Sequence, residues 1–296
     1  MKQIIIISLV LISAVSCKKV TLDSLAFPAV ALDSYKHKDY EDPELIIPDN
    51  FLNAPIQQTL IPLTSIDEES EEEFTIYGLY MGDTATIASD TIIYFCHGQA
   101  RHNDFYWTRE ALIAQIGGLH NYGVFMIDYR GYGMSEGTST ERGLIEDAHA
   151  GLNWLIDQGA TENKTVFYGF SLGCIPLIQL ASKDEPFQPI GLICESPLAS
   201  VENLAQSSVL LNVDGDFVTE LEFNNAEEIK NVDVPFMWLH GVEDDYININ
   251  NGELIYSNYN GSSKSAYRVE NAKHADIPSV MGFEDFMNSF QNFIQN

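Results

Sequence analysis

The stretch Gly169-Phe170-Ser171-Leu172-Gly173 decides how the rest of this chain is read. Before it, Thr165-Val166-Phe167-Tyr168 is β-branched and aromatic. After it, Cys174-Ile175-Pro176-Leu177-Ile178-Gln179-Leu180-Ala181 continues as a helix, with Pro176 in the first turn. The pattern is strand, sharp turn, helix, with a serine at the apex. Glycines two residues to either side keep Cβ atoms out of the way, so strand and helix can close tightly while the serine takes a strained backbone. Its hydroxyl is then presented at the carboxyl end of a sheet. The first amide of the helix, that of Leu172, points at any anion forming beside it. The pentapeptide alone recurs by chance. Its flanking elements give it meaning, provided the chain also supplies a base, an acid and a second amide donor.

On either side of this turn, strands and helices alternate. Residues 91–96 are a buried strand ending in His97-Gly98-Gln99-Ala100, and 106–119 a helix closed by Gly117-Gly118. Residues 124–128 are a strand, and 140–158 an amphipathic helix with Leu144, Ala148, Leu152 and Leu155 on one face. Strands follow at 190–194, 236–239 and 266–269, with a closing helix at 283–294. Residues 56–63 and 74–81 form a meander around the acidic tip 67–73, read as a solvated loop. Uninterrupted apolar strands between helices predict an α/β domain with a mostly parallel sheet covered by helices on both faces. Such sheets take ligands at the carboxyl ends of their strands. Residues 198–231, longer than a simple crossover, are read as a small cap, with helices at 201–211 and 224–229.

The chain has 296 residues and a formal net charge of −28, which excludes nucleic acid as a partner and an anionic lipid surface as a dock for the folded body. Residues 1–17 combine Lys2, an apolar run over 4–12 and small residues up to Cys17. The run is too short for a bilayer core of about 30 Å and reads as a secretory signal. With cysteine at the cleavage point it resembles the bacterial lipoprotein signal. That implies a lipid attached to Cys17 and a protein exported to the cell envelope, on a membrane and face the sequence leaves open. Residues 18–54 follow as tether and N-terminal arm, and 55–296 as one domain. Cys96, Cys174 and Cys194 lie in or beside apolar runs without metal-ligand spacing and are read as buried thiols.

Four strand-end motifs, His97-Gly98, Asp128-Tyr129-Arg130-Gly131-Tyr132-Gly133 with Ser135, the elbow itself, and His240-Gly241 with Asp244, together resemble the alpha/beta-hydrolase superfamily. The resemblance covers about residues 56–296 and is nearest to small-capped members of the depalmitoylase and monoacylglycerol-lipase type. It implies the alpha/beta-hydrolase fold, chemistry without metal or cofactor, and a triad in the order Ser171, Asp244, His274. Lys273 precedes His274 where the family more often has glycine.

Acyl transfer needs a neutral imidazole to take the serine proton and an acid to hold that imidazole, the roles expected of His274 and Asp244. Asp245 and Glu243 are the adjacent, weaker acid candidates. Leu172 and Gln99, with Ala100 as fallback, are the expected backbone oxyanion donors. His102, Tyr106, Trp107 and Tyr246 are candidates to line the substrate pocket. Asp128, Arg130 and Glu195 are read as structural anchors. The expected activity is hydrolysis of a small-molecule carboxylic ester through an acyl-enzyme. A peptidase or acyl-thioesterase uses the same triad, and a non-catalytic binding protein of this fold is the reading from another class. Serine at position 171 excludes the nucleophilic aspartate of epoxide hydrolases and dehalogenases. Oligomeric state is not legible.

Overall fold

A computed structural model describes residues 27–52, 56–116, 121–203 and 221–295. The signal segment 1–17 with Cys17, and residues 204–220 of the expected cap, lie outside the described residues. Eight strands form one sheet in the order β1-β2-β4-β3-β5-β6-β7-β8. Strands β1 (Gln58–Ile66) and β2 (Glu73–Met81) form the meander, and β2 runs antiparallel to β4 (Tyr122–Asp128). From β4 the sheet is parallel through β3 (Thr91–Cys96), β5 (Thr165–Phe170), β6 (Gly191–Glu195), β7 (Phe236–Gly241) and β8 (Lys264–Val269).

Side chains of the central strands alternate between two cores. Tyr94, Phe125, Phe167 and Trp238 face helices α2 (Glu141–Asp157) and α3 (Cys174–Leu180). Phe95, Met126, Tyr168 and Met237 face α1 (Asn103–Ile113) and α7 (Phe283–Gln295), the last helix. Both sheet faces are therefore covered, which is why these strands read as unbroken apolar runs.

Several boundaries differ from expectation for physical reasons. Helix α1 begins at Asn103, three residues early, because its first amide donates to Asp128 Oδ1 at 2.8 Å. Strand β8 begins at Lys264 because it is an edge strand with a half-exposed pattern, which hides its length. Helices α4 (Asn225–Glu228) and α5 (Asn250–Asn258) pack beside each other near residues 198–200. Helix α5 was not expected from its polar sequence. Its Gly252 lies so close to the Trp238 ring that a Cβ would fall 2.2 Å from Nε1, so packing selects this helix more than propensity does. A short helix, α6 (Ile277–Met281), precedes α7.

Residues 27–52 are packed on the domain. Phe27, Leu45 and Ile47 are buried, Ala31 pairs with Gly133, and the Tyr35 hydroxyl donates to Asp128 Oδ2 at 2.6 Å. The cap segment leaves and re-enters at one place: Asn225 Nδ2 donates to the Leu198 carbonyl, and Ala226 N to that of Ala199. Cys96, Cys174 and Cys194 are buried free thiols. Among the described residues no helix is long and apolar enough to cross a membrane.

Candidate active site

Ser171 sits on the turn between β5 and α3 with φ +53°, a left-handed conformation that costs a side-chain-bearing residue about 1–3 kcal/mol. The glycines permit it by close approach. A Cβ on Gly173 would lie 1.9 Å from the Cys96 carbonyl oxygen, and one on Gly169 would lie 2.7 Å from Cys174 Cα. Ser171 is thereby wedged against the end of β3.

Three loops at the carboxyl ends of neighbouring strands converge on this hydroxyl. His274, on the loop after β8, brings Nε2 to 3.0 Å from Ser171 Oγ. Its Nδ1 lies 2.8 Å from Asp244 Oδ2, on the loop after β7. Asp244 is itself held firmly. Its Oδ1 accepts the backbone amides of Tyr246 and Ile247 at 2.9 and 2.7 Å. His240 Nε2 lies 3.2 Å from its Oδ2. Burial pushes the Asp244 carboxyl up, but the hydrogen bonds from His240 and His274 outweigh it and hold the group well below the usual carboxylate range. Asp245, by contrast, is exposed and pairs with Lys273. Such an arrangement can move a proton off the serine hydroxyl while a fixed negative charge stabilises the imidazolium.

The other side of the hydroxyl is the loop after β3. His97 bridges the Gly98 carbonyl and Asp128, and Ala100 turns the chain with φ +74°. The Gln99 side-chain amide donates to the Tyr246 hydroxyl, and the Tyr106 hydroxyl donates to the Gln99 carbonyl at 3.3 Å. Tyr246 thus ties the Asp244 loop to the Gln99 loop, with its ring 5.0 Å from that of His274. A cleft of about 320 Å³ opens here, lined by Gln99, Ala100, Phe105, Tyr106, Phe170 and Tyr246 around Ser171 and His274.

Of the four pocket candidates, Tyr106 and Tyr246 line the cleft and two do not. His102 is fully buried, edge-on to Tyr40 of the arm, and burial lowers the pKa of its ring. Trp107 lies about 100° around the helix from Tyr106 and hydrogen-bonds Gln58 instead. Leu172 and Gln99 flank Ser171 from the elbow and from the β3 loop respectively. Asp128 and Arg130 serve the scaffold: Arg130 is bound through N, Nε and Nη2 to Asp147.

Sequence reasoning missed Glu44 and Arg109. Arg109 is fully buried under the cleft, its guanidinium 4.3 Å from the Phe170 ring centroid. It is shared between Glu44 of the arm (2.7 Å to each oxygen) and Glu195 at the end of β6 (2.7 and 2.8 Å). It also donates to the Ala275 carbonyl at 3.1 Å, directly after His274. Arg109→Met would strand two buried carboxylates and is expected to cost about 3–5 kcal/mol, read as a lower urea midpoint. Glu44→Gln should cost less, because Arg109 and Glu195 remain a neutral pair. The only signal available was a glutamate in a proline-rich arm, 65 residues from its partner.

Comparisons with known proteins agree with this architecture. Residues 88–228 match the family described as Serine aminopeptidase, S33. The chain is 30% identical over 175 residues to the alpha/beta hydrolase domain-containing protein aho-3 of Caenorhabditis elegans, covering 58% of this chain and 50% of that protein. It is 28% identical over 165 residues to the Homo sapiens alpha/beta hydrolase domain-containing protein 17B, covering 55% and 54%. It thus spans about half the length of the curated relatives it matches. Among solved structures, the Pyrococcus furiosus esterase Pf2001 superposes with a TM-score of 0.62 at 17% identity, over 89% of this chain and 98% of that one. The Pyrococcus horikoshii acylaminoacyl peptidase superposes at 0.56 and 14% identity, over 82% and 41%. The chain has the alpha/beta-hydrolase fold.

Proposed function

We propose that this protein is a serine hydrolase that cleaves a carboxylic ester through an acyl-enzyme. The observation that carries the proposal is the Ser171–His274–Asp244 alignment, 3.0 and 2.8 Å, at the mouth of an aromatic-lined cleft. Ser171 Oγ attacks the carbonyl carbon while His274 Nε2 takes the hydroxyl proton. The tetrahedral oxyanion is met by the amides of Leu172 and Gln99. Collapse breaks the carbon–oxygen bond, and His274 returns the proton to the departing alcohol. A water molecule, deprotonated by the same nitrogen, then attacks the acyl-enzyme, frees the acid and restores Ser171. None of these steps needs a metal or cofactor.

The test is a fluorophosphonate probe with mass-spectrometric site mapping, beside p-nitrophenyl esters from acetate to palmitate. A label on Ser171 together with ester turnover is the expected result. No label and no turnover would leave a binding protein of this fold. The likeness to a family described as serine aminopeptidase favours an amide as the second substrate reading, and a labelled serine that spares every ester would point there. In the same reading, residues 198–231 cap the cleft and Cys17 carries a lipid. Cys17→Ser should then leave the membrane fraction.

A further inference from the structure

The chain carries 43 carboxylate side chains against 15 basic ones, five of them arginine. Four arginines are committed to carboxylates: Arg109 to Glu44 and Glu195, Arg130 to Asp147, Arg142 to Asp67 and Glu69, and Arg268 to Glu253. Among the described residues Arg101 has no carboxylate partner. It follows the Ala100 turn, is partly buried, and lines the same cleft as Ser171 and His274. Its guanidinium lies 5.1 Å from the Phe105 ring centroid, a contact through which an aromatic face holds a guanidinium. Glu44, the acid that also lines the cleft, has both oxygens on Arg109.

A guanidinium in this position is set against largely apolar walls, where a charge contact is worth more than in open water. The body's acidity repels anions at long range, but only over about 8 Å at physiological salt, so a direct contact inside the cleft decides selectivity.

We propose that Arg101 forms a substrate subsite for an oxyanion, so that the preferred ester carries a carboxylate or phosphate-type group on the part held in the cleft. The inference rests on the hydrolase reading above and narrows its substrate class. Arginine suits the role because its planar fork binds such groups with two parallel hydrogen bonds.

The experiment compares kcat/KM for p-nitrophenyl adipate monoester with that for the length-matched p-nitrophenyl hexanoate, in the wild-type protein, Arg101→Gln and Arg101→Lys. The wild type should favour the adipate ester. Arg101→Gln should lower the adipate-to-hexanoate ratio by about ten- to a hundredfold, the size of one charged hydrogen-bonding contact, and Arg101→Lys should keep part of it. A matched ω-phosphonate ester separates the two oxyanions, the better substrate identifying the natural group. Free adipate should also slow fluorophosphonate labelling of the wild type more than that of Arg101→Gln, a binding readout that needs no turnover. An equal ratio, or equal protection, in wild type and Arg101→Gln would overturn the subsite while leaving the hydrolase reading intact. A serine that resists the probe, with neither ester turned over, would overturn both.

Discussion

Ser171→Ala is expected to lower kcat/KM by about 10⁶-fold on any ester the protein turns over, with thermal stability little changed. The size follows from the interdependence of the three groups. Without Oγ, His274 has no proton to move and Asp244 no imidazolium to stabilise, so their contributions vanish together. What remains is the cleft and the amides of Leu172 and Gln99, which by themselves leave about 10³–10⁴-fold over water. The fold should survive, because alanine occupies the same space and keeps the same strained φ of +53°. Ser171→Gly gives an internal check. It should be equally inactive yet more stable, because glycine removes a strain of about 1–3 kcal/mol. Progress curves with fluorophosphonate-treated controls would exclude contaminating wild type. Activity within about tenfold of wild type in Ser171→Ala would mean that the nucleophile lies elsewhere.

The parts of this molecule legible in its sequence are those in which local pattern and tertiary demand coincide. The Gly169–Gly173 turn is one. Both glycines face backbone atoms at distances no Cβ tolerates, so composition reports geometry directly. The buried strands are another, because two covered faces force every position to be apolar. The illegible parts are those in which tertiary contacts act alone. Helix α1 takes its start from Asp128, a residue outside the helix, and that start sets the rotation sending Tyr106 into the cleft and Trp107 toward Gln58. Helix α5 is held by Trp238 against its own polar composition. The Glu44–Arg109–Glu195 group joins three distant segments, and nothing near Glu44 in the chain announces it.

This last group changes how the N-terminal arm is understood. Tyr35 grips Asp128, whose other oxygen holds both His97 and the first amide of α1. Glu44 grips Arg109, which reaches the carbonyl beside His274. The arm therefore braces the Gln99 loop and the His274 loop from one side of the domain. A segment whose composition suggests a tether is in this respect part of the frame of the candidate site.

Asp244→Asn is expected to lower kcat by about 10⁴-fold with little change in KM, and the hydrogen bonds around the carboxylate say why. Oδ1 accepts two backbone amides, from Tyr246 and Ile247, so in the variant the amide oxygen must take that place. The NH₂ group then falls where Oδ2 was, facing His274 Nδ1 and His240 Nε2. It can only donate to His274 Nδ1, which forces the proton onto Nε2, the nitrogen that must accept from Ser171. His240 offers no relief. Trp238 donates to its Nδ1, and its Nε2 also faces the Ile247 carbonyl at 2.9 Å, so Nε2 carries a hydrogen that meets the new NH₂. Asp245→Asn, at an exposed ion pair, should stay within about twofold of wild type. Stability adds a pH signature. The folded Asp244 carboxyl is held below its unfolded value of about 3.9, so its stabilising contribution is complete above that pH and is lost as pH falls through the folded value. Urea midpoints should therefore show wild type ahead of Asp244→Asn at pH 7 and 5, with the gap narrowing toward pH 3. Wild-type-like turnover in Asp244→Asn would remove Asp244 from the triad, because among the described residues His274 is paired with no other carboxylate and the adjacent Asp245 is turned outward to Lys273.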